Sequence, residues 1–184
     1  PSNNDFFFHL VLLIFTYIIF YYNSINMKIY DCFMYFDEDL LLDIRLNSLD
    51  KYISKFVITE ATYTHNGIKK KLNFDIKKFQ KFKDKIVYIV VDQQPDNILE
   101  LIKDDTKARR GEKLILNGMA RDYFQRESLH KGLSKASSDD LILISDLDEI
   151  PNLENVKFSS IGNEILVFEQ KMFYYKLNLF YKDY

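Results

Sequence analysis

The sequence predicts an α/β domain, Rossmann-like, in which a mostly parallel sheet is flanked by helices. Three observations carry that expectation. Short apolar runs at 28–36, 55–60, 85–91 and 141–144 alternate with segments of helical periodicity, and such βαβ alternation produces a parallel sheet. The run Leu141-Ile142-Leu143-Ile144 is apolar on both faces, as a central strand covered on both sides would be. With 184 residues, 47% hydrophobic and 28% charged, the chain is long enough to bury one core of its own.

The first 26 residues stand apart. Phe6 to Tyr22 is a stretch of 17 uncharged residues, just short of the roughly 20 that cross a bilayer. It lacks the basic flank of a signal peptide and contains His9. Two expectations follow: a single N-terminal membrane anchor, or a segment upstream of a true start at Met27 in a cytoplasmic protein.

From 27 to 184 one domain is expected. Lys28 to Phe36 reads as the first strand, with Asp37 capping a helix whose first turn holds Glu38 and Asp39. That helix runs to about Tyr52; Leu42, Leu46 and Leu49 face the sheet, and Leu41 and Ile44 widen the stripe. Lys55 to Glu60 is the second strand, and the polar loop after it turns at Asn66-Gly67. Ile76, Phe79 and Phe82 mark a short helix, and Lys85 to Val91 is the third strand. Asn97 to Lys103 reads as another short helix, and Asp104 to Gly111 as a charged connector. Glu112 to Ala136 is a long helix interrupted by Gly118 that delivers the chain to the strand at 141–144. Glu164 to Gln170 and the aromatic run around Met172 to Leu177 read as final strands.

Composition removes several function classes. Lys plus Arg total 25 against 27 Asp plus Glu, a net charge of -2, so there is no electrostatic footprint for a nucleic-acid partner. A single cysteine, Cys32, excludes an internal disulfide and any multi-cysteine zinc or iron–sulfur site.

The chemistry concentrates in Ser145-Asp146-Leu147-Asp148-Glu149-Ile150-Pro151. It follows a strand at the carboxyl end of the sheet, where such sheets bind ligands. Asp146 and Asp148 can converge on one divalent cation, since hard ions such as Mg²⁺ and Mn²⁺ take oxygen ligands. A solvated acidic loop is the plainer reading. A haloacid-dehalogenase type phosphatase also places such a pair after a strand, but Ile150 stands where that class has Thr or Val, and only about thirty residues follow. His65 reads as a solvated loop residue and Lys69 to Lys71 as a wet face beside the Gly67 turn. Arg121 with Gln125, and Asp122 with Arg126, are spaced as ordinary helix pairs.

Four stretches in order, DCFMYFDEDLLLDIRLNSLD, FVITEATYTHNGIKKKLNF, ARDYFQRESLHKGL and DDLILISDLDEIP, resemble glycosyltransferase family 17, the family of β-1,4-mannosyl-glycoprotein 4-β-N-acetylglucosaminyltransferases, over nearly all of 27–184. The resemblance implies a glycosyltransferase A type fold, UDP-N-acetylglucosamine as donor, Mn²⁺ or Mg²⁺, and inverting transfer to a glycan or other saccharide acceptor. Asp146 and Asp148 match the metal-binding and catalytic pair, in which Asp148 would hold the ion and Asp146 would bind the donor ribose or a metal-bound water. Glu60, Gly67, Lys70 or Lys71, Arg121, Gln125 and Arg126 match donor-binding positions, whereas Asp122 stands where the family is expected to have Glu. An inverting transfer needs a carboxylate base; within the chain Glu169 is the candidate. The resemblance covers the donor half of the fold, so a C-terminally truncated domain is expected, with the acceptor surface beyond Tyr184. A non-catalytic nucleotide-sugar or glycan-binding module, or an inactive remnant, is the alternative.

Overall fold

The computed structural model describes residues 27–161, 164–171 and 173. The hydrophobic segment at 1–26 and, apart from Phe173, the expected strand at 172–177 lie outside them. Among the described residues no helix is long and apolar enough to cross a membrane.

Among the described residues four strands and two helices alternate: β1 (Ile29–Met34), α1 (Asp39–Leu49), β2 (Lys55–Ala61), β3 (Ile86–Val91), α2 (Lys107–Glu127) and β4 (Leu141–Ile144). Short 3₁₀ turns occupy Ile76–Phe82, Ser128–Leu133 and Phe158–Ser160. All strand pairs are parallel, in the order β3-β2-β1-β4. The chain thus walks outward from β1 to β3 and returns to the other side of β1 with β4. The order reverses between β1 and β4, which is where open α/β sheets form a ligand crevice.

β1 and β2 are the central strands, buried along almost their whole length. Alternation along β1 sends Ile29, Asp31 and Phe33 to one face and Tyr30 and Cys32 to the other. Against the first face pack Leu42, Leu46 and Leu49 of α1, with Phe56, Ile58, Phe79 and Phe82 completing the cluster. The second face is covered by Leu129, Leu133 and Ala136, which follow α2.

Several expectations need correction. β4 is an edge strand of the described sheet, not a central one, and Ile144 is 61% exposed. A run of four apolar residues fits either position, and only pairing decides between them. Asp37 does not cap α1. The N-cap is Glu38, which makes no capping bond but turns back to accept from the amides of Phe36 and Asp37 at 3.1 and 3.0 Å. α1 stops at Leu49, and Leu41 and Ile44 lie exposed, because the buried stripe is Leu42, Arg45, Leu46 and Leu49. The segment Asn97 to Lys103 forms no helix; the Asn117 side chain takes both backbone groups of Leu99, at 2.7 and 2.8 Å, in place of a helical ladder. Part of the expected connector is the first turn of α2, which Thr106 caps by accepting from the Arg109 amide. α2 runs through Gly118 without interruption and tightens into the 3₁₀ turn at Ser128. Glu164 to Gln170 is not a strand; Ile165 and Val167 stand exposed with no ladder among the described residues.

The 3₁₀ turn after α2 lies close on the sheet because residue 132 has no side chain. A Cβ there would fall 2.3 Å from Val57 Cγ1 and 3.2 Å from Ile89 Cδ1. Gly132→Ala is therefore expected to cost about 1–3 kcal/mol through overpacking, read as a lower urea midpoint at unchanged slope. An unchanged midpoint would show that the turn lifts freely.

Asp140 ties the start of β1 to the turn before β4, accepting from the amides of Lys28 and Ser137, each at 2.8 Å. Burial alone would raise its pKa, but those amides outweigh it and hold the carboxyl below the ordinary 3.8. A depressed folded-state value adds stability that is fully present above the ordinary value and is lost as pH falls through the lower one. Asp140→Asn should therefore lower stability at neutral pH and flatten the acid limb of a stability–pH curve. Parallel curves for the two proteins would refute this.

Candidate functional site

A cavity of about 670 Å³ opens at the carboxyl ends of β1 and β4, within the size range of small-molecule sites. Met34, Tyr35 and Phe36 line it from the end of β1, Tyr63 to Asn66 from the loop after β2, Asp122, Gln125 and Arg126 from α2, and Asp146 to Asp148 from the turn after β4.

That turn is closed by its own backbone, with the Glu149 and Ile150 amides donating to the carbonyls of Asp146 and Asp148, each at 3.1 Å. The Glu149 carboxylate accepts from the Asp146 amide at 3.0 Å. Leu147 is buried while its two neighbours are exposed, so alternation puts the leucine in the core and presents both carboxylates to the cavity. Asp146 Oδ1 accepts from Arg126 Nη2 at 2.7 Å, and Asp122 lies 3.8 Å from the same guanidinium. Burial opposes the charge of Arg126, but Asp146, Asp122 and Glu149 together overcome it and raise its pKa above the ordinary value. The cation is thus permanent.

The other residues singled out in the sequence fall into two layers. Gln125 is on the wall and donates to the Thr59 carbonyl at 3.0 Å. Arg121 and Gly67 are behind it. Arg121 donates to Gln94 Oε1 at 2.6 Å and to the His65 carbonyl at 2.9 Å. Gly67 has φ +78°, and a Cβ there would fall 2.5 Å from Arg121 Nη2, so both the backbone conformation and the close approach call for glycine. Together they clasp the loop that carries Thr64 and His65 to the cavity. His65 itself is exposed, 3.7 Å from Asp122.

Glu60 is fully buried at the end of β2. Its carboxylate accepts from the Lys70 ammonium, from the amides of Asn73 (2.7 Å) and Phe74 (3.1 Å), and from the Tyr88 hydroxyl (2.7 Å). Burial, and then that bond to Glu60, push the Tyr88 pKa up. Lys70 also sits 4.9 Å over the ring of Phe36. The pair therefore shapes the cavity from beneath and does not line it. Glu169 is exposed in an irregular segment and is not among the lining residues.

Sequence reasoning missed Arg45. It is fully buried against Asp31, which accepts from its Nε at 2.9 Å and its Nη2 at 2.7 Å. Nη2 also reaches Ser145 Oγ at 2.7 Å, and Nη1 donates to the carbonyls of Asp146, Leu147 and Glu149 at 2.7, 3.1 and 3.2 Å. The signal was present: an arginine inside the leucine stripe of α1, and an aspartate in the apolar strand on which that stripe packs. Cys32 plays no part in the site. Burial, then the Asp31 carboxylate, push its thiol up to about 12.

Among the described residues no three His, Cys, Asp or Glu side chains gather as a metal cage. Four carboxylate residues line the cavity, Glu38, Asp122, Asp146 and Asp148, and oxygen donors of that kind are what hard cations take. A family model described as Glycosyltransferase family 17 matches residues 19–183. No curated protein and no solved structure matches the chain.

Proposed function

The chain belongs to glycosyltransferase family 17, and from that premise we propose that it transfers N-acetylglucosamine from UDP-N-acetylglucosamine to a sugar hydroxyl of a glycan, with inversion, holding the donor in the cavity between β1 and β4. The four-stranded parallel sheet flanked by helices fits the α/β glycosyltransferase fold. The observation that carries the reading is that Asp146, Asp148 and Arg126 line one cavity at the point where the strand order reverses.

The acceptor oxygen attacks the anomeric carbon, the bond from that carbon to the diphosphate breaks, and the electron pair leaves on the phosphate. Mn²⁺ or Mg²⁺ held by Asp146 and Asp148 would supply Lewis-acid neutralisation of that charge. Arg126 adds a fixed cation on the same wall. Its bond to Asp146 also restrains that carboxylate, so little reorganisation is needed when a diphosphate arrives. The rings of Tyr35, Phe36 and Tyr63 give the cavity apolar walls. The proton of the attacking hydroxyl passes to a carboxylate within hydrogen-bond reach; Glu169 is one candidate, and the wall itself offers Glu38 and Asp122 outside the aspartate pair.

Calorimetric titration with UDP-N-acetylglucosamine tests this. Binding is expected with Mn²⁺ and not in chelator, because the carboxylates and the diphosphate otherwise repel each other. Equal affinity in chelator overturns the metal assignment, and no binding under either condition overturns the donor. Slow UDP release without acceptor separates a transferase from a binding module.

A further inference from the structure

The stripe that α1 turns to the sheet is three leucines and Arg45. A guanidinium in that position costs several kcal/mol of desolvation unless its hydrogen bonds are met. It offers five N–H donors in a rigid fork, and they are matched on two sides. One side is Asp31 on β1, a strand paired to both β2 and β4 and buried on both faces. The other is the turn after β4: Ser145 Oγ and the carbonyls of Asp146, Leu147 and Glu149. The guanidinium thus bridges the least movable strand to the turn that carries the cavity's carboxylates. Those three carbonyls point at Arg45, and the side chains of Asp146 and Asp148 in the same turn line the cavity.

We propose that Arg45, held by Asp31, is a positioning residue: it draws the carbonyls of the turn inward and so presents the two aspartates to the donor. The proposal rests on the reading of the cavity as a donor site. It differs from a merely structural role in a way that can be measured. A buried ion pair is often replaceable by apolar side chains of similar volume without loss of stability, whereas no apolar side chain can hold three carbonyls.

The test compares the full chain with the double variant Asp31→Leu/Arg45→Met and with Arg45→Lys, which keeps the charge but lacks the fork. Three quantities are read: the thermal midpoint, hydrogen exchange of the peptide spanning 145–151 without ligand, and affinity for UDP in the presence of Mn²⁺. The double variant is expected to melt at or above the temperature of the unaltered chain, to exchange faster at 145–151, and to bind UDP with Mn²⁺ about 10–100-fold more weakly, the usual loss when a partner that orients a ligand is removed. Arg45→Lys should fall between the two. A folded double variant with unchanged exchange and unchanged affinity overturns the proposal. If the double variant does not fold, Arg45→Lys decides in the same way. If the unaltered chain does not bind UDP with Mn²⁺, the reading of the cavity fails, and exchange at 145–151 alone still decides whether Arg45 orders the turn.

Discussion

Asp148→Asn is expected to weaken Mn²⁺-dependent binding of UDP-N-acetylglucosamine by at least about 100-fold, the upper end of what is lost when a residue that only supports a ligand is removed. The amide keeps the size of the carboxylate but loses the charge that a hard cation requires. Stability should change by less than about 1 kcal/mol, since the side chain is exposed and the turn is closed by backbone bonds. Asp146→Asn should also disturb Arg126, its partner at 2.7 Å, so its effect on binding has two sources. Calorimetry with paired thermal melts separates these outcomes. An Asp148→Asn protein that binds the donor as before would remove Asp148 from the site, and one that unfolds would make the carboxylate structural.

The second large effect lies in the core. Arg45→Ala is expected to cost about 3–5 kcal/mol, because it leaves the Asp31 carboxylate charged and buried without a partner. Asp31→Ala should cost a similar amount by stranding the guanidinium. Both side chains have 0% exposure, so solvent screening gives little relief. Urea unfolding measures the loss. A change below about 1 kcal/mol, the usual range for exposed pairs, would mean that water reaches the pair.

The four strands were legible because each is a short apolar run bounded by polar residues, and such runs fix where a strand is but not beside what. That is why the run at 141–144 suits a central strand by sequence, whereas among the described residues the pairing puts β4 at the edge. The start of α2 was obscured by charges at 104–111 that resemble a connector, although Thr106 is an ordinary capping residue. At the site, Asp146, Asp148, Gln125 and Arg126 stand on the cavity wall, while Glu60, Gly67, Lys70 and Arg121 stand one layer behind. A motif reports which residue types recur at a spacing. It does not report whether a side chain faces a ligand or holds the residue that does. Arg45 escaped because a periodicity reading treats a charge within an apolar stripe as noise, when its place among Leu42, Leu46 and Leu49 was the information.

The joint between β1 and β4 has a kinetic meaning. The bond from the Lys28 amide to Asp140 spans 112 positions along the chain, whereas the Ile29 amide reaches Ser54 across only 25. Closing the longer loop costs more chain entropy, and non-local closures come late in folding. The cavity straddles this seam, so the β1–β2–β3 portion can assemble while the aspartates still hang on an undocked segment. The cavity is then expected to form with the docking of β4 and not with the pairing of β1, β2 and β3.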